Sequence, residues 1–168
     1  ETSGKMEWID GNIGSYKTMK YPCCVLKGDN ASGTCITISV AKNNQEQDTG
    51  AKMIHLGKNT TSNIITNGLN INDGRLSFIV STYIKNKMTG CFANQQNRII
   101  NLTSNNCKIQ PNLLIDEQDV EANHSALIGG FRDEEMFYLK RLGINHDDAL
   151  KLLISGFLLN KVDKNLIE

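Results

Sequence analysis

The 168-residue sequence has little or none of several features that mark particular classes of protein. Proline occurs only twice and the charged fraction is 21%, which excludes collagen-like chains and disordered chains. The longest apolar run, Leu152 to Leu159, is interrupted by Ser155 and Gly156 and is far shorter than the roughly 20 residues of a membrane-spanning helix. Lysine and arginine balance aspartate and glutamate at 18 each and form no cluster, which argues against a duplex nucleic-acid binder. Composition alone therefore predicts a soluble folded domain.

Carboxylates are missing from the centre of the chain. No acidic residue lies between Asp73 and Asp116, so this region lacks the carboxylate pair that a carbohydrate-acting enzyme needs. No glycine-rich loop with a Gly-Lys-Ser/Thr ending precedes a helix, which excludes the common phosphate loop. The five cysteines are an odd number without a C-x-x-C motif, a pattern that favours free thiols in a reducing compartment.

Two features concern the origin and division of the chain. It does not begin with methionine and has no signal-peptide pattern, so we expect a piece of a longer protein. Asparagine, isoleucine and lysine occur 20, 18 and 14 times, as in proteins encoded by A/T-biased genomes. Residues 1–112 carry 12 basic and 7 acidic side chains, whereas residues 113–168 carry 6 basic and 11 acidic ones. This asymmetry predicts a boundary near Pro111, with a β region over residues 1–115 and a helical domain over residues 116–168.

The first two thirds of the sequence consist of short runs with the composition of β-strands, separated by turn residues. Apolar side chains alternate within several of them, as half-buried strands require. The predicted strands are Thr18–Lys27, Thr34–Ala41, Lys52–Leu56, Ser62–Thr66, Leu76–Ile84, Arg98–Thr103 and Asn112–Ile115. A sandwich, a barrel and a β-solenoid all share this pattern, so periodicity leaves the three architectures open.

The pattern changes to a helical one after His124. Asp133 is placed as the N-cap of a helix over residues 133–142, and Asn145 as the cap of a second helix. In the second helix, spacings of three and four residues gather apolar side chains into one stripe. Its members are Leu150, Leu153, Ile154, Phe157 and Leu158. The stripe packs on the β region or the other helix, or it forms a docking face for a partner.

Few residues of the sequence are candidate nucleophiles or metal ligands. Their spacing indicates no Ser/His/Asp or Cys/His catalytic set. His124, at the junction of the two regions, is the best single imidazole candidate for a metal ligand. Cys91 and Cys107 lie in or beside Asn- and Gly-rich loops, where a thiolate could reach a soft metal. His55, Cys24 and Cys35 are more simply interpreted as packed core residues.

Several segments carry a specific resemblance to a known family. They are Glu7–Asn12, Lys20–Asp29, Gln47–His55, Gly57–Ser62 and Asp133–Ile144. These motifs resemble SufB-type members of the SufBD family, the scaffolds of iron–sulfur cluster assembly. The resemblance runs over essentially the whole chain but covers only the C-terminal part of the family's length. With the A/T-biased composition it implies a protein of the plastid (apicoplast) stroma, the alternative being a bacterial cytoplasm.

The resemblance implies a mainly β fold, a right-handed parallel β-helix followed by a small C-terminal α-helical domain. It implies a scaffold, not an enzyme, that accepts sulfur from a cysteine desulfurase system and iron to build a transient iron–sulfur cluster. The implied partners are the ATPase SufC and SufD or a second SufB, with ATP hydrolysis expected in SufC. On this resemblance the surface that meets SufC includes Asp133, Glu134, Leu150, Leu153, Ile154 and Phe157.

The family's site residues transfer only in part. An alignment through Pro111 places Gln96 where SufB-type members have a cysteine, and their Glu-His-Glu motif corresponds to Asn123, His124 and Ser125. His124 is therefore the predicted metal ligand, and Cys91 is a second candidate if the loop before it shifts. The alternative is a divergent structural SufBD-type partner that does not itself ligate the cluster.

Overall fold

The computed structural model describes residues 2–103 and 106–162, which form a run of β-strands followed by two helices. The strands are β1 (Lys5–Asn12), β2 (Lys17–Lys20), β3 (Cys23–Leu26), β4 (Ser32–Lys42), β5 (Glu46–His55), β6 (Thr61–Ile71), β7 (Arg75–Ile84), β8 (Cys91–Asn101), β9 (Cys107–Ile115) and β10 (Val120–Gly129). The helices are α1 (Asp133–Arg141) and α2 (His146–Leu159).

The strands stack as a parallel β-solenoid of about four turns. The first sheet has the order β1-β4-β6-β8-β10, and the second has the order β2-β5-β7-β9, with β3 also paired to β5. Every pairing is parallel, and each strand lies beside the equivalent strand of the next coil: Ser32 pairs with Thr61, and Thr61 with Phe92. This topology confirms the predicted β-helix and removes the sandwich and the barrel.

Apolar side chains fill the space between the two sheets. This interior cluster consists of Cys35, Ala41, Ala51, Met53, Ile64, Leu76, Phe78, Val80 and Ile99. The first sheet is apolar on its outer face as well, where α2 covers it. Pairs of adjacent isoleucines such as Ile99 and Ile100 therefore serve both faces, because neighbouring side chains of a strand point to opposite sides.

Asparagines close the corners between strands. Asn30 and Asn59 adopt positive φ angles of 59° and 54° at one corner, and Asn72 has a φ of 55° at another. Asparagine accepts this left-handed conformation at less cost than other residues with a side chain. Lys87 occupies the same kind of position with a φ of 71°. The asparagines between the predicted strands are thus explained by the left-handed backbone conformation that these turns require.

Both predicted helices are present, with one correction to their caps. The N-cap of α1 is Arg132, one residue before the predicted Asp133, and its backbone N–H donates to the Glu135 carboxylate at 2.9 Å. Asn145 caps α2 as predicted, its side-chain oxygen accepting from the Asp148 N–H at 3.0 Å. Acidic residues in the first turn of each helix face the positive end of the helix dipole.

The α2 stripe packs on the chain's own solenoid. Phe157 and Leu158 join a cluster with outward-facing residues of the first sheet, and Ile154 packs against it. The Asn67 side-chain amide donates to the Phe157 carbonyl oxygen at 3.1 Å. Of the two interpretations of the stripe, the structure supports packing on the β region for these three residues.

The predicted boundary between residues 115 and 116 stays a prediction. Strand β10 falls inside the predicted helical domain, and the helices begin only at Asp133. Strand β10 lacks a clear alternation of apolar and polar residues, because it contains polar residues such as Asn123 and Ser125. Asp10 and Asn12 have the same effect in β1. Residues 163–168 of the predicted domain lie outside the described residues. Within the described ranges, neither helix is long and apolar enough to cross a membrane.

Candidate functional site

His124 lies on β10, the last strand of the first sheet, at the open end of the solenoid. It occupies the same inward-facing set of positions as Ala122, which packs against the buried Cys91 and Ala93. Because β10 has a paired strand on only one side, the imidazole is exposed. The structure therefore leaves the predicted metal ligand accessible at a strand edge.

A buried amide lies beside His124. The parallel register pairs His124 with Gln95 of β8, whose side chain is fully buried. The Gln95 Nε2 donates to the Thr82 hydroxyl oxygen at 2.9 Å and to the Asn112 carbonyl oxygen at 3.1 Å, across to the second sheet. These two hydrogen bonds hold the Gln95 amide in a fixed orientation next to the position of His124.

The two positions at which the family motif differs are direct neighbours in the structure. Ser125 pairs in register with Gln96 of β8, and both lie on the outward face of the first sheet. Gln96 is exposed. Two residues far apart in sequence are thus brought together next to His124, although neither an amide nor a hydroxyl is a strong ligand for iron.

Cys91 lies apart from this site. It pairs with Val120, four residues before His124, a separation of about 13 Å along the strand at ~3.3 Å per residue. Its side chain is 2% exposed, and its Sγ lies 3.1 Å from the Thr60 hydroxyl oxygen and 3.4 Å from the Gly57 carbonyl oxygen. The structure does not bring the two predicted ligands together, and no cluster of three potential ligands occurs among residues 2–103 and 106–162.

His55 is a packed, hydrogen-bonded histidine, as the sequence predicted. Its Nδ1 lies 2.7 Å from the Thr60 hydroxyl oxygen and its Nε2 lies 2.8 Å from the Ser62 hydroxyl oxygen. Burial lowers the pKa of His55 to about 4, because the charged imidazolium would lose its hydration. A neutral ring with both nitrogens engaged is a structural element and not a metal ligand.

Three cysteines gather near the first coil. Cys24 and Cys35 face the interior beside Met53, whereas Cys23 is exposed, as the alternation of a strand requires. Burial raises the pKa of Cys35 to about 11 and also raises the pKa of Cys24, so both are thiols at neutral pH. Sequence reasoning missed the ion pair of Lys20 with the buried Asp10 beside them, because each residue alone gives no signal.

The helical residues predicted to bind a partner divide into two groups. Asp133 and Glu134 are exposed at the start of α1, whereas Phe157 is 7% exposed and packs within the chain. Leu150, Leu153 and Ile154 are partly buried. The helical region also exposes apolar side chains that the sequence stripe did not include, namely Phe137, Tyr138, Leu142 and Leu152.

The sequence of this chain is similar to that of known proteins over almost its whole length. Residues 1–157 match the family described as SUF system FeS cluster assembly, SufBD core domain. The chain is 36% identical over 160 residues to the iron–sulfur cluster assembly protein SufB of Bacillus subtilis, covering 94% of the chain and 34% of that protein. It is 35% identical over 158 residues to an iron–sulfur cluster assembly SufBD family protein of Staphylococcus aureus, with 93% and 34% covered. The chain thus spans about a third of the length of these relatives.

Proposed function

Because the chain belongs to the SufBD core domain family of the SUF iron–sulfur cluster assembly system, we propose that it is part of a scaffold on which a transient cluster is built. In this proposal the longer protein accepts sulfur and iron in a complex with SufC and SufD, or with a second SufB. The observation that carries the proposal is the family match over residues 1–157, together with the open imidazole of His124 on the last solenoid strand.

His124 is the residue of this chain that we assign to the cluster. An exposed imidazole binds iron through a ring nitrogen, and the buried Gln95 beside it holds the surrounding backbone in place. Cys91 is not included in the assignment, because its thiol is enclosed in the core and oriented toward Thr60 and Gly57. The remaining ligands then come from a partner chain or from small thiols, as a cluster needs more than one protein ligand.

The alternative is a structural SufBD-type partner that supplies a surface while another chain holds the cluster. Gln96 and Ser125 favour it, since two adjacent outward positions carry groups that bind iron weakly. Anaerobic reconstitution of the whole complex separates the two functions: a His124→Ala variant lowers cluster content if this chain is a ligand, and leaves it unchanged if the chain is only structural.

We propose the helical region as the docking surface for SufC, whose ATP hydrolysis drives assembly while this chain serves as the scaffold. The support is the acidic start of α1 at Asp133 and Glu134 and the exposed apolar side chains Phe137 and Tyr138 beside it. Leu150, Leu153 and Ile154 contribute through the parts of their side chains that stay exposed. Phe157 acts indirectly, by holding α2 on the solenoid.

Co-purification tests the docking proposal. We expect Glu134→Lys together with Phe137→Asp to abolish recovery of the chain with SufC, because a charge would be buried at the interface without compensation. Lys85→Asp, a change at an exposed turn of the solenoid, is the matched control and should leave recovery unchanged. Normal recovery of the double variant with an unchanged circular dichroism spectrum would disprove the assignment.

The compartment is a separate proposal. The abundance of asparagine, isoleucine and lysine supports synthesis from an A/T-biased plastid genome, and hence a place in the plastid (apicoplast) stroma. A bacterial cytoplasm is the alternative. Both supply the reducing conditions that five free cysteines require. Immunolocalisation against a plastid marker decides between them.

A further inference from the structure

A cavity of about 310 Å³ lies between the outer face of the first sheet and the end of α2. Its floor comes from three neighbouring strands, β6, β8 and β10, and its side from the last turn of the helix and the residues after it. The polar residues that line it are Asn67, Gln96, Asn97, Arg98, Ser125, Asn160 and Lys161. It is therefore a polar cleft between two elements that also touch through apolar residues.

The charge of this cleft is of one sign. Arg98 and Lys161 contribute two cationic groups, and no carboxylate is found among the described residues that line it. Glu135 of α1 is close enough for Arg98 to contribute to its lowered pKa, but the main causes are the backbone N–H of Arg132 and then the Arg132 side chain, which lies 3.3 Å away. The positive charge of Arg98 thus has no ion pair among the described residues.

Arg98 is held in place while keeping hydrogen-bonding capacity. Its guanidinium carbon lies 5.2 Å from the centre of the Phe157 ring, a cation–π contact that orients the group on the wall of the cleft. Its Nε is buried and has no hydrogen-bond partner in the described part of the chain. The nearby Phe157 carbonyl oxygen is already bound by Asn67 at 3.1 Å. Because this Nε is enclosed, a ligand in the cleft would meet the terminal N–H groups of the guanidinium of Arg98, which is one of the residues that line the cleft.

We propose that this cleft binds a small anion with a phosphate group, held by Arg98 and Lys161. The flat guanidinium matches two oxygens of a tetrahedral oxyanion. The Gln96 amide on the same strand is a further polar group of the lining, whereas the Ser125 hydroxyl already donates to the Gln95 carbonyl oxygen at 3.4 Å. The volume exceeds that of phosphate alone, and Ile65 and Leu127 give an apolar wall for an organic remainder. Because the ligand would contact both Arg98 of β8 and Lys161, which follows α2, its binding would stabilise the docked position of the helix. The cleft shares Gln96 and Ser125 with the candidate functional site, but phosphate binding does not require that a cluster is assembled.

Binding titrations at constant ionic strength test the site, with inorganic phosphate and phenyl phosphate as probes and chloride as the reference anion. We expect both phosphates to bind and Arg98→Gln to weaken them by at least ~10-fold, since a bidentate charged contact is lost. Lys161→Gln should weaken them by about 3-fold, as a single exposed charge does. Arg75→Gln, which removes an exposed arginine of β7 paired with Glu46, is the control and should change nothing.

The outcomes distinguish the sources of the phosphate group. Tighter binding of phenyl phosphate identifies a phosphate carried on an organic molecule, and equal binding of both identifies free phosphate. No binding of either probe overturns the proposal, and so does binding that Lys161→Gln and Arg98→Gln leave unchanged. If Arg98→Gln fails to fold, Lys161→Gln decides alone, because its side chain is exposed and its loss leaves the packing intact.

Discussion

At the scale of single residues, the buried His55 links stability to pH. The folded protein keeps this ring neutral down to a pKa of about 4, whereas the unfolded chain protonates it near the ordinary value of 6.5. Between these values the unfolded state binds the extra proton, so acidification favours unfolding. We expect the free energy of unfolding to fall by about 3 kcal/mol between pH 7 and pH 4 on account of His55.

Urea unfolding of the wild type and His55→Gln over this range isolates that contribution. The stability gap between the two proteins should shrink as the pH falls, because the variant has no imidazole to protonate. His146→Gln, a change at an exposed histidine at the start of α2, serves as the control and should follow the wild type. A gap that stays constant from pH 7 to pH 4 would show that His55 does not titrate on unfolding.

Lys87 gives a second prediction at this scale. Its φ of 71° is unfavourable for a long side chain, whereas asparagine occupies other turn positions with a positive φ, such as Asn30 and Asn59. Lys87→Asn should therefore raise the free energy of unfolding by about 0.5–1 kcal/mol. Lys85→Asn, at a neighbouring exposed position without a positive φ, should not stabilise the protein. Equal effects of the two changes in urea unfolding would refute the conformational explanation.

Some of these features of single residues can be predicted from the sequence, and others cannot. The packed state of His55 and the opposite orientation of Cys23 and Cys24 follow from strand alternation, which is local. The pairing of Gln96 with Ser125 depends on the strand register, which is set by the whole stack of coils. No local pattern reveals that register, so the composition of the candidate site required the structure.

At the scale of elements, α2 is the piece whose attachment is most specific. Phe157 inserts into the outer cluster of the first sheet, stacks edge-on against Phe131 at 6.3 Å and contacts Arg98. Phe157→Ala should reduce the stability of the docked helix by about 3 kcal/mol, because an aromatic side chain is lost from a packed site. Faster amide hydrogen exchange confined to α2 is the expected signature.

Leu152→Ala is the matched control for this element. Leu152 lies on the same helix but is 53% exposed, so its removal should change the exchange of α2 little. If Phe157→Ala left the exchange of α2 at the wild-type rate, or if both variants accelerated it equally, the helix would be held by something other than the Phe157 contacts.

The elements also show where sequence patterns succeed. Caps and charged first turns mark both helices, so the bounds of α1 and the start of α2 were predictable to within a residue. Strands β1 and β10 were missed because they carry polar side chains at positions that are interior elsewhere, such as Asp10 and His124. Strands with polar inward-facing side chains are thus the parts that hydrophobic alternation identifies least well.

At the scale of the whole molecule, stacking of equivalent strands explains why the site lies at the last coil. Each inner strand is paired on both sides and buries its polar groups, whereas β10 keeps one free edge. His124 is consequently exposed, while the equivalent positions of preceding coils, such as Ile64 and Gln95, are buried. The composition indicated a solenoid-compatible β domain, and only the family resemblance selected the solenoid.

The most direct test of the scaffold proposal is anaerobic reconstitution of the longer protein that contains this chain. It would be combined with SufC and SufD, supplied with iron and sulfide, and followed by visible absorption and bound iron. We predict cluster absorption that stays with the complex and falls strongly in His124→Ala but not in the control Asn123→Ala. Absorption no greater than that of the partners alone would contradict the account, as would a His124→Ala complex with full cluster content.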